Sequence, residues 1–188
     1  MSDEAGAKTE TGVAHSAPRL VLDTNVCLDL LLFADPRCAV LRSSLHASTV
    51  HAVTNGPCRE EWLRVLRYPQ LRLDDERRIA LCASFDALTH RVEGSVPQEC
   101  LKGLPRCSDP DDQKFMELAA TSGARWLLSR DRDLLVLGRR TASAGLFQIV
   151  APQDWSGVPS ERLRPSAQGN APVATAARGL ASPAKSLL

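Results

Sequence analysis

The sequence is poor in aromatic residues, with four Phe, three Trp and one Tyr among 188 positions, or 4%. That is too few for the platforms on which non-specific single-strand binders stack successive bases. Long apolar runs are missing too: none approaches the roughly 20 residues that cross a bilayer. The opening MSDEAGAKTETGVAHSAP is polar and has no hydrophobic signal region. The expectation is a cytoplasmic protein with no membrane association. No two of the six cysteines (Cys27, Cys38, Cys58, Cys82, Cys100 and Cys107) form a C-x-x-C pair, and the shortest gap is seven residues. That spacing is too loose for a zinc site and reads as free, buried thiols. The histidines, His15, His46, His51 and His90, lie in the tail or at element ends, and no Ser-His-Asp arrangement is legible. An excess of one charge is absent as well. The net charge is +1, divided as −2 over residues 1–18, +3 over 156–188 and zero between them. Net charge therefore gives no nucleic-acid footprint.

What is present is ordinary for one globular domain: 44% hydrophobic and 24% charged residues in a chain long enough for a sizeable core. Residues 1–18 are polar and without periodicity, so a disordered tail is expected. Residues 156–188, rich in Ala, Pro, Ser and Gly, read as a flexible tail. Between them, 19–155 forms the domain. Arg19–Asp23 reads as a buried strand, Val26–Phe33 and Pro36–His46 as helices, and Thr49–Val53 as a short strand. Asn55-Gly56-Pro57 opens a helix to about Arg67. Asp74-Asp75-Glu76 opens another to about His90, with a short strand near Arg91–Glu93. Asp109-Pro110 opens a helix closed by Gly123, and Arg125–Ser129 and Phe147–Val150 are strands. Strands alternating with helices give an α/β domain with a mainly parallel sheet.

Within the run RLVLDTNVCLDLLL, from Arg19 to Leu32, the strand stops at an acid, Asp23. Ligands of open parallel sheets bind outside the carboxyl ends of the strands, so Asp23 and Asp131, each following a strand, share one edge. Each could equally cap the helix that follows. In GPCREEWLRVLRYP, Glu60 has Arg64 four residues on and reads as a solvated pair, whereas Glu61 borders the apolar stripe of Trp62, Val65 and Leu66. In SDPDDQKFMELAATSG, Asp109 suits the N-cap. Asp112 shares a face with Phe115 and Ala119 and points inward, and Asp111 points outward. Asp133 either joins the cluster or caps the short helix starting there. Four acids, Asp23, Glu61, Asp112 and Asp131, can thus face one crevice. Carboxylates brought together repel unless some protonate or a cation joins them. An oxygen-only donor set suits a hard ion, Mg²⁺ or Mn²⁺, of the kind that acts on phosphates.

VLDTNVCLDLL, EEWLRVLRYP and DPDDQKFMELAATSGARWLLSRDRDLL together resemble the PIN domain, and in particular its bacterial branch of toxin components from toxin–antitoxin systems. The resemblance covers about 19–155, in order and at the usual spacings. It implies a three-layer α/β/α sandwich and a Mg²⁺- or Mn²⁺-dependent ribonuclease leaving a 5′-phosphate and a 3′-hydroxyl. By motif match the catalytic acids are Asp23, Glu61, Asp112 and Asp131, with Asp133 an accessory metal ligand beside Asp23, Asp112 and Asp131. Asn25 is the companion of Asp23, unless it caps the next helix, and Ser129 stands where many members have Thr. NGPCRE before Glu61 departs from the family's more usual S-P-E-L-L. A cognate antitoxin and a homodimer are the implied protein partners, and RNA the implied substrate. Arg130 and Arg132, which flank Asp131, are the first candidates for its phosphates. Two other readings compete. A HAD-like phosphatase wants an acid where Asn25 stands. A metal- or RNA-binding module with little turnover would keep the same acids.

Overall fold

The computed structural model describes residues 17–94 and 98–158. The tails expected at 1–18 and 156–188 fall outside these, except for 17–18 and 156–158. The strands are β1 (Arg19–Leu22), β2 (His51–Thr54), β3 (Thr89–Arg91), β4 (Trp126–Leu128) and β5 (Gln148–Val150), all parallel in the order β3-β2-β1-β4-β5. The helices are α1 (Thr24–Leu31), α2 (Ala39–His46), α3 (Gly56–Val65), α4 (Asp75–Leu88), α5 (Gln113–Thr121), α6 (Arg132–Leu135) and α7 (Gly138–Ser143). None of the described helices is long and apolar enough to cross a membrane.

The strands are short apolar runs because both of their faces are covered. Leu20 and Leu22 of β1, Ala52 of β2 and Trp126 and Leu128 of β4 face α1, α2, α3 and α4 through Val26, Leu41, Trp62 and Phe85. The alternate residues Val21, Val53, Leu127 and Ile149 face α5 and α6 through Phe115, Met116, Ala119 and Leu134. The period-2 alternation of side chains therefore divides one sheet between two cores, which is the expected α/β/α sandwich. Trp62 stacks on Phe85, with ring centroids 5.2 Å apart, and fixes α3 on α4. Both Trp62 and Trp126 are buried. All six cysteines are free; Cys27, Cys38, Cys58 and Cys107 are buried, Cys82 is partly so and Cys100 is exposed.

Local chemistry explains the helix starts. Asn55 caps α3 by accepting from Cys58 N at 3.0 Å, with Pro57 in the first turn. Asp74 caps α4 by accepting from Arg77 N at 2.7 Å. Four details differ from the sequence reading. Helix α4 ends at Leu88, because Thr89 is extended and pairs with Ala52, which brings β3 forward to Thr89–Arg91. Residues 110–112 form a tighter turn than an α-helix. The N–H groups of Asp112 and Gln113 each reach back three residues, to Asp109 O and Pro110 O, so regular α5 starts at Gln113. Helix α7 was not anticipated. It begins at Gly138, where a Cβ would meet Ile149 O at 2.9 Å, so a side-chain-free residue lets α7 start against β5. Finally, Arg64 turns to Glu61, at 3.8 Å, and the Glu60–Arg64 pair does not form.

Candidate active site

The strand order reverses between β1 and β4, and a parallel sheet opens a crevice at such a switch point, outside the carboxyl ends of the strands. Asp23 follows β1 there, and Ser129, Arg130 and Asp131 follow β4. The pairing of the two strands continues one step into the site, as Asp23 N donates to Leu128 O at 3.0 Å.

Asp23 occupies the N-cap position of α1, yet its side chain makes no capping hydrogen bond. Asp23 as a residue is 4% exposed, and its carboxylate accepts at Oδ2 from the Ser129 hydroxyl and from Asn25 Nδ2, the latter at 2.7 Å. Both donors are neutral, and no cation pairs with Asp23 among the described residues. Burial pushes its pKa up from 3.8 to about 6. The hydrogen bonds from Ser129 and Asn25 oppose that rise, and the charge of Glu61 adds to it. Asn25 also accepts from Arg130 N at 3.3 Å, so it ties the two loops of the crevice together instead of capping a helix.

Ser129 is fully buried, and its Oγ accepts from Asp131 N at 2.9 Å. One hydroxyl therefore links the acids that follow β1 and β4. Asp131 caps α6, accepting at Oδ1 from Asp133 N at 2.7 Å. Asp133 stands exposed in the first turn of that helix.

Asp112 lies just before α5. Its side chain makes no capping bond, and among the described residues no donor or cation meets it. Burial pushes its pKa from 3.8 to about 7, with further contributions from the charges of Asp23, Asp131, Asp109 and Glu61. The charges of Asp23, Glu61 and Asp131 thus all act on Asp112. Glu61 lies on α3. It accepts from the Thr24 hydroxyl at 2.8 Å and meets the ammonium of Lys114.

The flanking arginines separate. Arg130 Nη1 pairs with Asp29 at 2.8 Å, and Asp29 is buried on α1. Arg132 is exposed on α6, with no pair among the described residues. The sequence reading passed over three participants: Thr24, Asp29 and Lys114. Asp29 carries the same signal as Asp23, an acid inside the apolar run VCLDLLL, and Lys114 lies within the DPDDQKF block, two residues after Asp112.

The donors of the crevice are carboxylate oxygens, and among the described residues only Glu61 of the four acids has a cation; this chemistry fits a hard divalent ion. Among the described residues, no three His, Cys, Asp or Glu side chains already form a metal-holding group.

A family model described as "PIN domain" matches residues 19–133. No curated protein matches the chain. Among solved structures, the chain is similar to one in the crystal structure of VapBC2 from Rickettsia felis bound to a DNA fragment from their promoter. The two are 11% identical with a TM-score of 0.47, over 71% of this chain and 98% of the other.

Proposed function

The chain belongs to the PIN domain family, whose members are generally nucleases, and from that premise we propose that it is a divalent-metal-dependent endoribonuclease. In this reading residues 19–155 are the nuclease domain, and the protein is a toxin-like component with a cognate antitoxin and a homodimeric form. Those partners rest on the sequence resemblance alone. The observation that carries the enzymatic reading is the pair Asp23 and Asp112. Two carboxylates face one crevice, one of them almost wholly buried, and neither has a cationic partner among the described residues. Folding gains nothing from leaving them so, because an unpaired buried acid is unfavourable.

Asp23, Asp112 and Asp131 would hold Mg²⁺ or Mn²⁺, with Asp133 as an accessory ligand. When bound, the ion supplies positive charge to the phosphoryl oxygens and lowers the pKa of water. The residues of the chain do the rest. Ser129 and Asn25 fix the rotamer of Asp23, and Ser129 holds the Asp131 backbone in register with it. One of the crevice acids takes the proton of the attacking water. Attack in line with the leaving 3′ oxygen leaves a 5′-phosphate and a 3′-hydroxyl. Exposed Arg132 meets an RNA phosphate, and Arg130, with one nitrogen on Asp29, adds charge at the rim.

The test is cleavage of a labelled mixed-sequence single-stranded RNA in Mg²⁺, in Mn²⁺ and in excess EDTA, with Asp23→Asn and Asp112→Asn alongside. Metal-dependent cleavage lost in both variants supports the reading. Cleavage that survives EDTA, or survives both substitutions, defeats it. One observation favours a second reading, a catalytically weak metal- or RNA-binding module: Lys114 already neutralises Glu61. RNA retained without cleavage under all ion conditions would select that module.

A further inference from the structure

The acids of the crevice are not all left without a cation. Lys114, in the first turn of α5, directs its ammonium onto Glu61 Oε2 and the Asp111 carbonyl, with the Phe115 ring 5.1 Å from its nitrogen. Its side chain is only 19% exposed. Ordering and desolvating a lysine in this way sacrifices several rotatable bonds and much hydration. Glu61 has an alternative on its own helix, the exposed Arg64, which stands at 3.8 Å. Neutralising Glu61 for the sake of folding could therefore be done at the surface of α3. Instead the helix that Asp112 opens delivers a second cation two residues from that acid. The other oxygen of Glu61 accepts from the hydroxyl of Thr24, the residue after Asp23. Glu61 is thus fastened at both oxygens, next to two acids that have no cation.

We propose that Lys114 is a resident counter-ion that holds Glu61 out of the ion-binding set, so that divalent ions at this crevice compete with the Lys114–Glu61 pair. Lys114 is a positioning residue here and acts through Glu61. The inference rests on the reading that the crevice takes a divalent ion. With the ammonium removed, Glu61 becomes a further oxygen donor beside Asp23 and Asp112. Ion affinity then rises, and the rise depends on Glu61.

The test is calorimetric titration of the full chain with Mn²⁺ and Mg²⁺, in wild type, Lys114→Met, Glu61→Gln and the double variant, with thermal unfolding measured with and without Mn²⁺. Lys114→Met is expected to tighten binding about tenfold, and the double variant to return within about threefold of wild type, the coupling typical of contacting groups. Lys114→Arg, which keeps the cation, should bind as wild type does. Lys114→Gln, which keeps a hydrogen bond to Glu61 and protects the fold, should show the same gain in smaller measure. Two results overturn the proposal: no tightening in either neutral variant, or a gain that persists after Glu61→Gln, which would mark a general field effect. If wild type binds ions and the neutral variants gain nothing, only this inference fails. If none of the proteins binds an ion, the divalent-ion reading fails with it.

Discussion

Asp23 and Asp29 lie six residues apart, at the start of α1 and within it, and both are buried. They are treated oppositely. Asp29 meets the guanidinium of Arg130 at 2.8 Å, and beside it Asp35 is gripped by Arg37 through both carboxylate oxygens. Asp23 receives a hydroxyl and an amide and no cation, and Asp112 across the crevice receives nothing among the described residues. The same loop after β4 supplies both treatments, for Ser129 bonds Asp23 while Arg130 pairs with Asp29. The chain therefore has the means to neutralise a buried acid, applies them to Asp29 and Asp35 on one flank and to Glu61 through Lys114 in the crevice, and withholds them from Asp23 and Asp112. On that flank the carboxylates are structural. In the crevice Asp23 and Asp112 remain available to a charge from outside, as the proposed reading requires.

The largest effect should separate the two flanks by activity. Asp23→Asn or Asp112→Asn is expected to lower metal-dependent RNA cleavage at least about 100-fold with the fold retained, since each removes a charge needed only in the reaction. Single-turnover rates beside circular dichroism check this, and a variant cleaving within a few-fold of wild type would erase the distinction.

Next comes stability on the paired flank. Asp29→Asn leaves Arg130 without its buried partner and should destabilise the protein by about 2 kcal/mol. That is less than the loss for a fully buried pair, because Arg130 keeps 37% of its side chain in water. Urea unfolding measures it, and an unchanged midpoint would show that the pair does not hold the loops together.

The flanks should also differ in the sign of their pH dependence. Asp23 and Asp112 have folded pKa values, about 6 and about 7, above the ordinary 3.8. The stability they contribute is complete below 3.8 and is lost as pH rises through 6 and 7. Asp35, lowered to about 2 chiefly by the hydrogen bonds from Arg37, behaves oppositely. Its contribution is present above 3.8 and is lost as pH falls toward 2. Metal-free protein should therefore lose stability between pH 4 and 7. Asp112→Asn should recover about 1 kcal/mol at pH 8, a value discounted for the partial exposure of that acid. Thermal melts across this range in EDTA test the slope, and a profile rising to pH 7 would contradict it.

The smallest effect is that of Arg132, beside Asp131. Arg132→Ala should weaken RNA binding slightly, reduce the salt slope by about one and leave Tm unchanged. Arg130→Ala should lower Tm as Asp29→Asn does. Filter binding over a salt series, with melts alongside, distinguishes a phosphate contact from a strut.

The sequence by itself indicated the strands, every α-helix but α7, and Asp23 and Asp131 as acids that follow strands at one edge. These depend on local periodicity, capping residues and the rule that strand ends face a common side. It also marked Asp112 as inward, through its spacing from Phe115 and Ala119, both of which are buried. It could not assign partners. Asp29 and Asp23 interrupt the same apolar run, and nothing within that run says which of them an arginine a hundred residues later will reach. Nor does the spacing of α3 and α5 reveal that Lys114 lands on Glu61. Partnership is set where helices and loops distant in the chain meet. Only the tertiary structure therefore decided which carboxylates were neutralised and which were left without a cation.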